Sequence, residues 1–392
     1  MGSDLFSVCV FCAAALLGTD LPPFPGTSAE IGGAYSTLQR RHEIETGRDD
    51  ISNVTPKFVL VGLRRAETAA DGLGAGTPAR EWRFRLALAP SHDEQEQRPV
   101  GTPGRTTASG TGRYENFALL YRLPLGPRDS IEAAWTRRSQ KATDLINLGA
   151  ENYVVAEERS LAAERADVAV GARHRFRGWE IAAAARGTRV DAKNATAGAN
   201  LNASGWLYGA VLGARFRRGP WTLAAAGEAL SGRIADHEES LPDFAARDSS
   251  RHASFRTASA SVTRSFRTTE ISVAAALDRG LLPFVSLGVL GTETLALEDG
   301  FHPESSVRAT IVDLAVRQAI GSGVRLRLSV QAIYGAETVT LTDAKGSRPS
   351  RRIAVDWIGA GGKGSGGSVG FLGSPAFALG LLADFIIGRP GN

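Results

Sequence analysis

The ten residues from Glu81 to Pro90, EWRFRLALAP, decide the fold. Read with a period of two, Trp82, Phe84, Leu86 and Leu88 fall on one face and Arg83, Arg85, Ala87 and Ala89 on the other, as in a strand whose successive side chains point to opposite sides. A helix would scatter the two arginines among the apolar groups. The rhythm returns in Val168, Val170, Ala172, His174 and Phe176 against Asp167, Ala169, Gly171, Arg173 and Arg175. It returns again in Trp206, Tyr208, Ala210, Leu212, Ala214 and Phe216 against Leu207, Gly209, Val211, Gly213, Arg215 and Arg217. Val312, Leu314, Val316 and Ile320 likewise oppose Asp313, Ala315, Arg317 and Ala319.

The connections alternate between short and long. Pro124 to Asp129, Arg177-Gly178, Arg218 to Pro220, Arg267 to Thr269 and Gly321 to Gly323 are brief and rich in turn formers. Between them lie the polar stretches Ser91 to Gly110, Ala142 to Arg159, Asp191 to Asn202, Ala235 to Ser250, Thr292 to Ser306 and Asp343 to Arg351, which read as long loops. Phe176, Trp179, Phe216, Trp221 and Phe266 each sit within a residue or two of a short turn and on the apolar face, as one interfacial girdle of a membrane protein would. Trp206, Trp357 and Tyr334 could supply the other.

Tight turns at one rim, long connections at the other and aromatic girdles resemble the bacterial outer-membrane β-barrel proteins of porin type, with turns toward the periplasm and loops toward the exterior. The last apolar segment, Phe371 to Ile387, strengthens the likeness. Its piece Ala378 to Phe385, ALGLLADF, is similar to the C-terminal signal by which such barrels are recognised for assembly. The expected fold is therefore all-β, a transmembrane antiparallel up-and-down β-barrel of about 14 strands, within a range of 12 to 16. Fifteen segments carry the pattern, whereas a bacterial single-chain barrel needs an even number. The short Arg352 to Gly361 piece, followed by GAGGKGSGGS, is taken as the false strand.

Composition agrees with an exported, cysteine-free wall. Of the 392 residues 45 are Gly, against 16 Phe, 6 Tyr and 6 Trp, which suits inward side chains that must be small. Both cysteines, Cys9 and Cys12, lie in the apolar stretch Leu5 to Leu17, which reads as a signal-peptide core with Thr27-Ser28-Ala29 as the cleavage site. The expected organisation is thus a signal peptide over residues 1–29 and a single barrel domain over 30–392. Without that leader the chain holds no thiol, so thiol catalysis, Cys-zinc sites and iron-sulfur clusters are excluded. After Ala29 no apolar run reaches the roughly 20 residues that a membrane helix needs.

The chemistry points away from catalysis. His42, His92, His174, His237, His252 and His302 are scattered, with no pair at metal-ligand spacing, and HExxH and a phosphate loop are missing. No catalytic residue, metal or cofactor is expected. With 45 Lys and Arg against 41 Asp and Glu the net charge is only +4, which indicates no nucleic-acid footprint. The distribution of charge says more. Arg83, Arg85, Arg173, Arg175, Arg215, Arg217, Arg317, Arg325 and Arg327 share the inward phase near the turn end, while the long connections carry Glu94, Glu96, Glu157, Glu158, Glu238, Glu239 and Asp243.

Such arginines could line a pore and favour anions by fixed positive charge. They could equally pair with the inward carboxylates Asp167, Glu180, Glu228 and Asp313 and fill the lumen. Two functional classes follow. One is a passive channel for small polar or anionic solutes. The other is a structural or assembly barrel whose long loops anchor a surface or secretion complex. The expected partners are outer-membrane lipid and lipopolysaccharide, small anionic solutes in the first class, and envelope proteins in the second. A soluble extracellular sandwich is the third and weakest reading.

Overall fold

A computed structural model describes residues 26–44, 47–67, 80–99, 106–148, 155–195, 199–240, 245–282, 301–320, 324–343, 349–357 and 377–387. Fifteen strands account for nearly all of them: β1 (Gly26–Ile44), β2 (Gly47–Glu67), β3 (Arg80–Pro99), β4 (Thr106–Pro124), β5 (Asp129–Leu148), β6 (Val155–Phe176), β7 (Trp179–Ala195) and β8 (Ala199–Arg218) in the first half. The second half holds β9 (Trp221–Ser240), β10 (Ala245–Ser265), β11 (Thr269–Leu282), β12 (Phe301–Ile320), β13 (Val324–Asp343), β14 (Arg351–Trp357) and β15 (Phe377–Ile387).

Each strand from β1 to β13 pairs antiparallel with the next in sequence, and β15 pairs with both β13 and β1. The result is a closed ring of strands. β14 explains the odd count: it also lies between β13 and β1, with Asp356 opposite Ala336 on one side and Arg41 on the other. β15 fills the same lane further along, from Phe377 opposite Thr37 to Ile387 opposite Thr27. The fourteenth lane is therefore made of two segments separated in sequence by residues 358–376, so Arg351–Trp357 is a true strand and the expectation of a false one is corrected. Its backbone hydrogen bonds complete the rim of the wall where β15 stops.

The long polar stretches are also reread. β3 continues to Pro99, β5 to Leu148, β7 to Ala195 and β9 to Ser240, so most residues assigned to loops prolong the hairpins. Glu94 pairs with Ser52 and with Ser109, and Glu239 pairs with Ala246. Ladder hydrogen bonds do not need apolar side chains, and a polar alternation is sufficient where both faces meet water. Strands of about 20 residues, tilted by about 40°, rise roughly 50 Å, about twice the ~25 Å apolar band of such barrels. Pro56 sits where the register shifts on both sides of β2, between Val54 and Val59 toward β3, because proline offers no N–H to the ladder.

The two faces separate as the period predicts. Outward Val168, Val170, Tyr208, Leu212 and Leu277 are 48%, 53%, 62%, 61% and 56% exposed, while their inward neighbours Ala169, Leu207, Val211 and Ala276 are almost fully covered. Apolar side chains thus face away from the protein, and the interior mixes charges with the buried apolar side chains of Leu207, Val211, Leu230, Ile234 and Phe255. Phe176, Trp179, Trp221 and Phe266 are all exposed at the short-turn rim. Trp179 packs on Phe216 at 4.7 Å, and the Arg264 guanidinium lies over both Trp221 and Phe266. At the opposite rim Trp206 stacks on Tyr208 at 6.0 Å. The side chains of Tyr334 and Trp357 lie outside the described residues.

Thr27, Ser28 and Ala29 belong to β1 and pair with Ile387, Ile386 and Phe385. Residues 1–25, which carry the expected leader core, lie outside the described residues.

Candidate functional site

The inner face carries the chemistry. At the short-turn end, Arg122 on β4 reaches Glu81 on β3 at 3.0 Å and Glu132 on β5 at 2.5 Å. Arg173 on β6 binds Glu132 at 2.9 Å and also pairs with Glu180 on β7. Glu180 gathers Arg175 at 2.6 Å and Arg215 of β8 at 3.6 Å. Five adjacent strands and β8 are thereby tied through one chain of charges, four guanidiniums to three carboxylates.

A second network lies further from the turns. The Asp167 carboxylate accepts hydrogen bonds from the Thr136 and Thr188 hydroxyls and pairs with Arg165 at 3.0 Å and Arg186 at 2.8 Å. Arg186 also reaches Glu228 at 2.5 Å, from β7 across β8 to β9. The residue directly opposite Arg186 on β8 is Gly209, where an added Cβ would collide with the Ala229 carbonyl. Glycine leaves the passage over β8 open, so a sequence rich in small inward residues lets one guanidinium bridge two lanes. Arg165 is stacked over the Phe255 ring at 5.6 Å. These charges are almost completely removed from water, so each depends on its partners.

On the other side of the ring Arg317 approaches Glu270 and Arg327 approaches Asp313, each at 3.5 Å. Of the arginines expected on the lumen side, Arg83 is buried at 7% exposure, Arg85 and Arg325 are half-buried, and Arg217 is exposed beside the turn. Arg83 and Arg85 line a small cleft together with Thr136, Asp167 and Arg186. The structure brings Arg173, Arg175 and Arg215 together around Glu180, and Arg83 with Arg85 at the cleft. It keeps Arg317 and Arg327 in pairs of their own.

Sequence reading missed Arg122, Glu132, Arg165 and Arg186. Their phase was available: Arg122 alternates with Tyr121 and Leu123, and Arg186 is six residues from Glu180 on the same strand. Among the described residues of the turn-side half, the nine expected arginines and Arg122 occupy the inward register. Carboxylates share it: Glu81, Glu132, Glu180, Glu228, Glu270 and Asp313, with Glu30 and Asp384 at the same register position as Arg85 and Arg325.

No family model matches the chain, and no curated protein is similar to it in sequence. Solved structures are similar in fold. The Pseudomonas putida toluene transporter TodX matches with a TM-score of 0.51 at 10% identity, over 96% of this chain and 92% of the other. A TodX monoaromatic hydrocarbon channel mutant, deltaS2, gives a TM-score of 0.52 at 10% identity, over 93% and 91%. The translocator domain of the autotransporter NalP from Neisseria meningitidis is matched over 98% of this chain and 96% of its own, at 8% identity and a TM-score of 0.46. Closed topology, exposed apolar band, girdles and the likeness to the two TodX structures give the protein the fold of a bacterial outer-membrane β-barrel.

Proposed function

We propose that the protein is a narrow passive channel for small polar or anionic solutes. The observation that carries this reading is the gathering of three guanidinium groups, Arg83, Arg85 and Arg186, with the single carboxylate Asp167 along one cleft. Fixed guanidinium groups at close range attract anions and repel cations, more strongly where surrounding side chains exclude water. The ion pairs would restrict the passage instead of abolishing its sign, since Glu132 and Glu180 are each shared by more than one cation.

Reconstitution into planar bilayers tests this. Stepwise conductance with a reversal potential on the anion side in a salt gradient is the expected result, and Arg83→Gln with Arg85→Gln should shift that potential toward cations. A cation-selective channel would refute the assignment.

A second reading has its own support. The Arg165, Asp167, Arg186 and Glu228 network is almost fully buried, as suits a filled lumen, and the strands stand well beyond the apolar band, as suits a surface-exposed anchor for an assembly or secretion complex. A barrel that inserts but conducts nothing, and that is recovered with other envelope proteins after cross-linking, would favour it.

A further inference from the structure

Three arginines stand side by side on the outer face. Arg256 of β10 is directly opposite Arg279 of β11, which is directly opposite Arg308 of β12. All three are exposed and alternate with lipid-facing residues, Arg279 with Leu277 and Arg308 with Thr310 and Val312. Like charges directly opposite on one face of a sheet repel each other. Their neighbours on that face within two residues, Ser254, Ala258, Leu277, Leu281, Ser306 and Thr310, include no carboxylate, and Ala229 and Ala336 flank the row on β9 and β13.

The height of the row supplies the ligand. Arg256 is nine residues from Ser265, Arg279 ten from Thr269 and Arg308 twelve from Ile320, each measured from the strand end at the short-turn rim. A spanning strand takes about 9–11 residues to cross the bilayer. Below the row, Val262, Val273, Leu277, Leu314 and Val316 expose 43%, 49%, 56%, 43% and 37% of their surface to the apolar phase. The row therefore sits at the outer edge of the hydrocarbon, where lipid headgroups begin. Three strands set about 4.8 Å apart spread three guanidinium forks over about 10 Å, and such forks match phosphate oxygens two at a time.

We propose that Arg256, Arg279 and Arg308 form a binding site for the phosphate groups of an outer-leaflet glycolipid, lipopolysaccharide being the ligand. The site depends on the outer-membrane placement and not on the channel reading. Its acyl chains would lie along the apolar residues beneath, and its phosphates would relieve the repulsion within the row.

The test uses the full folded protein in a mild detergent, with purified lipopolysaccharide as probe and native mass spectrometry or a titration as readout. Replacing all three by glutamine should weaken binding on the order of tenfold or more, as loss of charge-assisted hydrogen bonds implies. Arg264→Gln, which removes one charge at the opposite rim as Arg279→Gln does within the row, should leave it intact, and the three-lysine variant should recover part of it. Enzymatically dephosphorylated lipopolysaccharide should bind the wild-type protein as weakly as intact lipopolysaccharide binds the glutamine variant. If the triple variant fails to fold, judged by its gel mobility before and after boiling, Arg279→Gln alone carries the test. Unchanged binding in the glutamine variant, equal loss in Arg264→Gln, or full competition by inorganic phosphate would each overturn the proposal.

Discussion

Replacing Leu212 by arginine should distinguish a lipid-facing wall from a wet one. Leu212 lies on the outward face of β8, six residues from its end at Arg218, which places it near the middle of a 9–11 residue span, and it is 61% exposed. On a water-facing sheet such a substitution changes stability by no more than about 0.5 kcal/mol in either direction. In the middle of a bilayer it costs about 2–4 kcal/mol, a factor of roughly 30 to 700 in the folding equilibrium. Leu223, also outward but only two residues from the start of β9 at Trp221, provides the internal control. Arginine there sits at the interface and should cost about 0–1 kcal/mol. Reversible urea unfolding in lipid vesicles, followed by tryptophan fluorescence and by gel mobility without boiling, reads both. Equal costs at the two positions, or no cost at Leu212, would refute the membrane assignment of this face.

Inside the barrel, Glu228→Ala removes the second carboxylate of Arg186 and should destabilise by about 3–5 kcal/mol, with partial recovery when Arg186→Ala is added; a double variant no better than the single one would show that the two are not coupled. At the turn between β6 and β7, Arg177 and Gly178 both have positive φ, 41° and 86°, and a Cβ on Gly178 would approach the Arg217 carbonyl oxygen to 2.8 Å. Gly178→Ala should therefore cost about 1–2 kcal/mol, read as a lower urea midpoint with unchanged slope. Beyond the membrane, hydrogen bonds to Asp248 and then to Glu239 raise the His237 pKa above the ordinary histidine value, and the bond to His237 lowers that of Glu239. Stability from the histidine is complete below its ordinary pKa and fades as pH rises through the raised one; that from the glutamate is complete above its ordinary pKa and fades as pH falls through the lowered one. Their joint effect is thus greatest at mildly acid pH. An NMR titration of His237 should show its midpoint fall in Asp248→Asn, and an unmoved midpoint would contradict the pairing.

Much of the wall was legible from the period alone. Among the described residues every segment carrying the two-residue rhythm is a strand, and the outward set Val168, Val170, Tyr208 and Leu212 is exposed as the alternation requires. The polar ends were not legible as strands, because Glu94 or Glu239 in a hairpin that has left the membrane looks like a residue of a solvated loop. β14 was hidden for another reason: a seven-residue strand gains its place from two neighbours distant in sequence, β1 and β13. The inward phase of the arginines could be counted from the turns. So could the carboxylates Asp167, Glu180, Glu228 and Asp313, but not which arginine each would meet, since Arg186 reaches Glu228 over an intervening strand, and that encounter depends on a register in which a slip of one residue would send both side chains to the lipid.

The shared fourteenth lane separates two kinds of continuity that usually coincide. β15 alone completes the circumference, with eleven pairs to β1 and nine to β13, whereas β14 adds four and six pairs above it. The polypeptide can consequently be severed between Trp357 and Phe377 while the hoop of hydrogen bonds stays whole. Fragments 1–357 and 358–392, expressed together, should reassemble into one heat-labile particle, and the short fragment by itself would act as a removable stave.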